Sequence, residues 1–158
     1  MPNKKLNSES GRSLIEVVGV LALGAIMIAG TFKVYQVVRT RQTRLIATEE
    51  LRDVARNSRL LFAGRGDYAG ISVNYLIKSG ALKSDAAPGI AETYDIRAQA
   101  DGGGFVINLL GVGFSDCAWA MTQRFDWADA ARANDSYEGA PAGNCKKSGG
   151  NKVTFVVR

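Results

Sequence analysis

Three regimes of hydrophobic and polar positions follow one another along the chain. From Leu14 to Phe32 apolar residues run for nineteen positions, interrupted chiefly by Glu16, and residues 17–32 carry no charge at all. From Ala47 the pattern becomes periodic. Ala47, Leu51, Val54, Ser58 and Leu61 recur at four-three-four-three spacing, while Glu49, Glu50, Arg52, Asp53, Arg56 and Arg59 fill the other faces. That spacing places the first set on one stripe of an amphipathic helix. No proline occurs between Pro2 and Pro88, so one helix is predicted from Arg12 to Phe62, with Gly64-Arg65-Gly66 ending it. Such a helix is about 77 Å long at ~1.5 Å per residue. The remaining residues make a domain only a few tens of ångströms across, so the helix is expected to protrude and its apolar half to need lipid or other copies of itself.

Beyond residue 64 the period shortens. Gly64–Gly70 reads as a loop, and Val73–Ser79 as a short helix closed by Gly80. Thr93–Arg97 alternates and Phe105–Leu110 is a β run, with Asp101-Gly102-Gly103-Gly104 as the hairpin turn between them. Ser115-Asp116 is expected to cap a helix over Cys117–Phe125, with Asp126–Ala133 extending it or forming a second turn. A stretch rich in Gly, Ser, Asn and Lys covers 134–151, and Val153–Val157 makes a last strand. A helix, three or four meandering strands and an excursion before the final strand fit an α+β roll.

Composition narrows the chemistry. The chain has 158 residues, 46% of them hydrophobic and 22% charged, which suits one folded domain. Twenty basic against fifteen acidic side chains give +5. Histidine is absent, which removes Ser-His-Asp and Cys-His nucleophile pairs, histidine metal sites and histidine proton shuttles. The two cysteines are too few for a Cys-only zinc site. An enzyme is therefore disfavoured, and no cofactor is implied. The arginines of 41–59 are interleaved with acids and lack aromatic neighbours, so they read as a solvated face and not a nucleic-acid contact. Neither GxGxxG nor GxxxxGK[ST] occurs around Gly102. Arg65-Gly66-Asp67 spells an integrin-type tripeptide of the kind that recurs by chance. Asp126, Asp129 and Asp135 lack a calcium-loop pattern and read as solvated.

The N-terminus carries the most specific signal. A leader, MPNKKLNSESG, is short and basic through Lys4 and Lys5, and the apolar run continues past any Ala-x-Ala cleavage site. As a membrane anchor, Leu14–Phe32 just spans a bilayer, at roughly 28 Å. Glu16 is the anomaly: either it sits at headgroup depth near the helix start, favoured by the helix dipole, or a cation must find it.

Gly11-Arg12-Ser13-Leu14-Ile15-Glu16-Val17, followed directly by the apolar helix, resembles the signal of type IV prepilins and pseudopilins. The resemblance implies cleavage between Gly11 and Arg12 by a prepilin peptidase and N-methylation of the new terminus. It makes Glu16 the fifth mature residue, where that family carries Glu, while Arg12 stands where the family usually has an apolar residue. Glu16 would then meet the terminal amine of a neighbouring copy during assembly. It further implies a pilin-like α+β fold: leader 1–11, membrane or filament-core helix 12–32, amphipathic half 33–63, and an antiparallel-sheet head 64–158. Expected partners are other copies of the subunit, the peptidase, membrane lipid before assembly, and an inner-membrane platform with its ATPase. The head would face the periplasm and later the outside. A minor pilin or secretion pseudopilin is the alternative within the family; a single-pass anchored binding protein or enzyme is the alternative outside it. One count opposes export: four basic residues follow the apolar run (Lys33, Arg39, Arg41, Arg44) against three before it (Lys4, Lys5, Arg12). The processing signal and the cysteine pair favour export and are given the greater weight.

Cys117 and Cys145 are either two structural thiols or a pair. Export makes a disulfide the expectation, and the resemblance implies a C-terminal disulfide loop tying an exposed edge to the sheet. The intervening helix is closer to the type IVb or conjugative-pilus branch, and the short leader to type IVa.

Overall fold

A computed structural model of the chain describes residues 9–134 and 144–158, with side-chain surroundings from Leu14 onward. Leader residues 1–8 and Asp135 lie outside the described residues. The chain divides into two units, residues 1–41 and 42–158. Helix α1, Glu9–Phe62, runs through the first and into the second. In the second unit follow α2 (Val73–Lys78), β1 (Thr93–Ala98), β2 (Phe105–Val112), α3 (Phe114–Thr122), β3 (Ala130–Ala133) and β4 (Asn151–Val157).

The strands form one antiparallel sheet in the order β1-β2-β4-β3. Its central pair is the most apolar. Phe105, Ile107 and Leu109 of β2 and Val153, Phe155 and Val157 of β4 alternate onto one face and are fully buried. The periodic stripe of α1 completes that core: Ala47, Leu51, Val54 and Ser58 are buried, with Ala55 and Phe62 beside them. Leu61, expected on the stripe, is only partly buried, because a four-three repeat drifts by about 20° per two turns of a 3.6-residue helix. By the last turn Phe62 has rotated inward, where it stacks on Tyr68 at 5.6 Å between ring centroids.

Several local expectations shift. α2 begins on Ser72, whose hydroxyl accepts from the Tyr75 N–H at 3.2 Å, and it ends one residue early, with Ser79 as its cap and Gly80 at φ 75°. The β1–β2 turn is wider than the four residues expected: the Gln99 N–H donates to Gly104 O at 2.9 Å. A Cβ at Gly104 would collide with the Val157 carbonyl, so the turn can lie against the end of β4 only with glycine there.

Two corrections concern 113–133. α3 starts at Phe114 on extended Gly113, which offers no side-chain cap, so Ser115 and Asp116 lie inside the first turn. The helix stops at Thr122, three residues before Phe125. Asp126–Ala133 neither extends it nor forms a simple turn, since Ala130–Ala133 pairs with β4 as an edge strand. Its sequence, Ala-Ala-Arg-Ala, has no β-branched or aromatic residue, and pairing with β4 alone makes it a strand.

Candidate functional site

Between Leu14 and Thr48 the sole acidic residue is Glu16. Leu14, Ile15, Val17, Val18, Leu21, Ile26 and Met27 around and beyond it are all more than half exposed. Two hydroxyls in this stretch are satisfied within the helix. The Thr31 hydroxyl donates to the carbonyls of Ile28 at 2.8 Å and Met27 at 3.0 Å, and the Thr40 hydroxyl to Gln36 O at 2.9 Å. A helix that satisfies its own hydroxyls and backbone leaves an apolar surface suited to hydrocarbon or to like surfaces. Among the described residues this is one helix long and apolar enough to cross a membrane. Gly11 and Arg12 fall in the first turn of α1. Glu16 lies one turn on and is exposed.

In the second unit, three arginines read from sequence as a solvated face are instead anchors. Arg44 inserts its guanidinium at the start of α3: Nε donates to Asp116 Oδ1 at 2.9 Å, and the terminal nitrogen donates to the Ser115 hydroxyl at 2.7 Å and the Ser115 carbonyl at 3.2 Å. The same group lies 5.3 Å from the Trp119 ring centre. Arg52 pairs with Asp126, which raises the arginine and holds the carboxyl below its ordinary range through their shared hydrogen bond. Arg59 donates twice to the Arg158 carbonyl, at 2.7 and 2.9 Å. Their spacing of seven or eight residues puts all three beside the buried stripe, but the partners lie 71 to 99 residues away in sequence.

The two cysteines are joined. Cys117, in α3, bonds Cys145 across 28 positions, with Cα atoms 6.0 Å apart, and both are buried. A second tie, absent from the sequence reading, centres on fully buried Asn151. Its amide donates to Val112 O and Lys146 O, each at 3.1 Å, and its oxygen accepts from the Asn134 amide at 2.9 Å and the Lys146 N–H. Asn134 itself sits at φ 51°, a conformation asparagine tolerates better than most residues. Asparagines bordering a Gly- and Ser-rich stretch were the available signal.

No family model matches the chain, and no curated protein matches it.

Other motifs are absorbed by the fold. Arg65 of the Arg-Gly-Asp tripeptide donates to the Tyr75 hydroxyl at 2.8 Å and lies over the Phe62 and Tyr75 rings. Asp67 accepts from the Ala69 N–H, forming a local turn. Asp126 and Asp129 are engaged separately and not simply solvated: the first by Arg52, the second by the Arg158 N–H at 2.8 Å. Among the described residues no three metal-ligating side chains converge.

Proposed function

We propose that the chain is a type IV pilin-like structural subunit, trimmed between Gly11 and Arg12 and polymerised into a filament, and that it performs no catalysis itself. One observation carries this reading. α1 runs unbroken from the Gly11–Arg12 junction, through an exposed apolar stretch whose sole acid is Glu16, to a stripe buried against a disulfide-tied antiparallel sheet. An ordinary anchor does not require a carboxylate at the third position of its apolar run. In a stack of copies, the terminal amine of Arg12, cationic at neutral pH with an ordinary pKa of ~7.7–8.0, supplies the partner. In this reading the second unit faces the periplasm before assembly and coats the filament after it.

The competing reading is a single-pass anchored binding protein, favoured by the length and apolarity of α1 alone. N-terminal peptide mass spectrometry on envelope and sheared fractions from the native host separates the two. A chain starting at N-methylated Arg12 in the sheared fraction supports a major subunit. Confinement of the trimmed chain to the envelope supports a minor pilin or pseudopilin, and an intact leader overturns the proposal. Glu16→Ala should abolish filament assembly with the C-terminal unit still folded, whereas an ordinary anchor should be indifferent.

A further inference from the structure

The apolar surface of α1 does not end with its uncharged run. Beyond Phe32, Val34 and Tyr35 are each 64% exposed, Val37 53% and Val38 46%. From Val17 to Val38 the helix covers 22 positions, about 33 Å at ~1.5 Å per residue, against a hydrocarbon core of ~30 Å. Lys33 is the one charge inside this stretch, and its long stem lets the ammonium reach the interface. Charged residues mark both limits, Glu16 at one and Arg39-Thr40-Arg41 at the other. No acidic residue occurs from Val17 to Thr48, so every charge at the second limit is positive.

Arg39 and Arg41 are both exposed, whereas Arg44, the next cation, is held by Asp116 and Ser115. Two positions apart, Arg39 and Arg41 stand on nearly opposite sides of the helix, so each meets a ligand of its own. Side chains on a helix lean toward its N-terminus, which here is the direction of the apolar stretch. Each guanidinium therefore lies back over the last apolar turn, at the depth of the lipid phosphates when residues 17–38 fill the hydrocarbon. Tyr35, four positions before Arg39 and on the same side, adds an aromatic ring of the kind that sits at the interface.

Topology does not account for these cations. With the C-terminal unit exported they lie on the far side of the membrane, where the positive-inside bias disfavours them. Lipid chemistry does account for them. A guanidinium forms paired N–H···O bonds with a phosphodiester, and a net-anionic headgroup brings no ammonium of its own to compete, unlike phosphatidylcholine.

We infer that Arg39 and Arg41 form a collar at the C-terminal limit of the apolar stretch that binds anionic phospholipid headgroups, of the phosphatidylglycerol kind, while the chain is in the membrane. The inference rests on the part of the proposed function that places α1 in a bilayer before assembly, and it adds the class of lipid.

The test reconstitutes the full-length chain into phosphatidylcholine vesicles carrying nitroxide-labelled phosphatidylglycerol or nitroxide-labelled phosphatidylcholine. Electron spin resonance then measures the share of each label immobilised at the protein. The labelled phosphatidylglycerol should associate at least about twofold more strongly. Arg39→Gln with Arg41→Gln should halve that preference or more, and the charge-retaining pair Arg39→Lys with Arg41→Lys should keep it. Lys4 and Lys5 are present in every variant, so a difference between variants belongs to the collar. Circular dichroism checks that each variant keeps its helix. Equal association in the wild type, a preference unchanged by the glutamine pair, or one lost equally from the lysine pair overturns the collar with the membrane reading intact. A wild-type chain that does not float with the vesicles after an alkaline wash counts against the membrane reading itself, and the collar falls with it.

Discussion

Ser58 occupies the centre of the α1 stripe with no exposed surface, and among the described residues its hydroxyl has no hydrogen-bond partner. Serine or threonine in a helix ordinarily turns its hydroxyl back to the preceding turn, as Thr48 does to Arg44 O at 2.8 Å. A buried hydroxyl without a partner has lost its hydration and gained nothing. Ser58→Ala should therefore stabilise the fold by about 1 kcal/mol, visible as a higher urea midpoint with unchanged slope. A lowered midpoint would mean that the hydroxyl is bonded after all. Tyr94 makes the opposite kind of statement. Burial, reinforced by the nearby charges of Asp85 and Glu50, pushes its hydroxyl up to about 12 from an ordinary value near 10. The folded state thus holds its proton more tightly than the unfolded one. That contribution is complete below pH ~10 and is lost as pH rises from there through about 12. Other groups, lysines included, titrate in this range, so the informative quantity is a difference. Tyr94→Phe should reduce the decline in denaturation midpoint between pH 9 and 11 relative to the native chain; equal slopes would show that the group does not titrate as argued.

At the scale of elements, Arg44 decides how α1 meets α3. Its side chain is 19% exposed and that of Asp116 27%, so solvent screens their hydrogen bond less than a surface pair. Arg44→Ala should cost about 1–3 kcal/mol, because Asp116 and Ser115 lose a charged donor. Arg52→Ala should shift the midpoint far less, since 43% of the Arg52 side chain and 70% of the Asp126 side chain lie in water. Equal losses in the two variants would refute the distinction. This contrast also marks what the sequence could disclose. The stripe Ala47-Leu51-Val54-Ser58, the alternation of β1 and the apolar run of β2 were legible, since burial imposes a pattern on neighbouring residues. β3 was not, because a strand of Ala-Ala-Arg-Ala takes its conformation from β4 and has no pattern of its own. The start of α3 was misplaced for a related reason. Ser115 and Asp116 have the chemistry of a cap, yet that chemistry is spent on Arg44, a residue whose distance along the chain hides the pairing.

For the whole molecule, the core and the disulfide perform different tasks. The stripe of α1 and the faces of β2 and β4 supply most of the fully buried large apolar side chains, whereas Cys117–Cys145 and the Asn151 network close a segment that joins this core through Trp119, Phe125 and Trp127 beside Phe155. Cross-linking across 28 positions restricts the unfolded chain by roughly 3–4 kcal/mol in the chain-entropy account. Cys117→Ser with Cys145→Ser removes that restriction and places two hydroxyls in a buried site, so the double variant should lose about that much stability. Because the α1–sheet core remains, unfolding should stay a single transition at a lower midpoint, with helix content retained at low denaturant. Asn151→Ala should behave differently. It leaves the covalent tie but strands the Lys146 N–H and takes one of the two acceptors of the Asn134 amide, leaving Asn144 O, so proteases should cut near 144–150 before the rest of the unit yields. Cleavage there in the cysteine variant, and not in Asn151→Ala, would reverse the assignment and make the disulfide the local clasp.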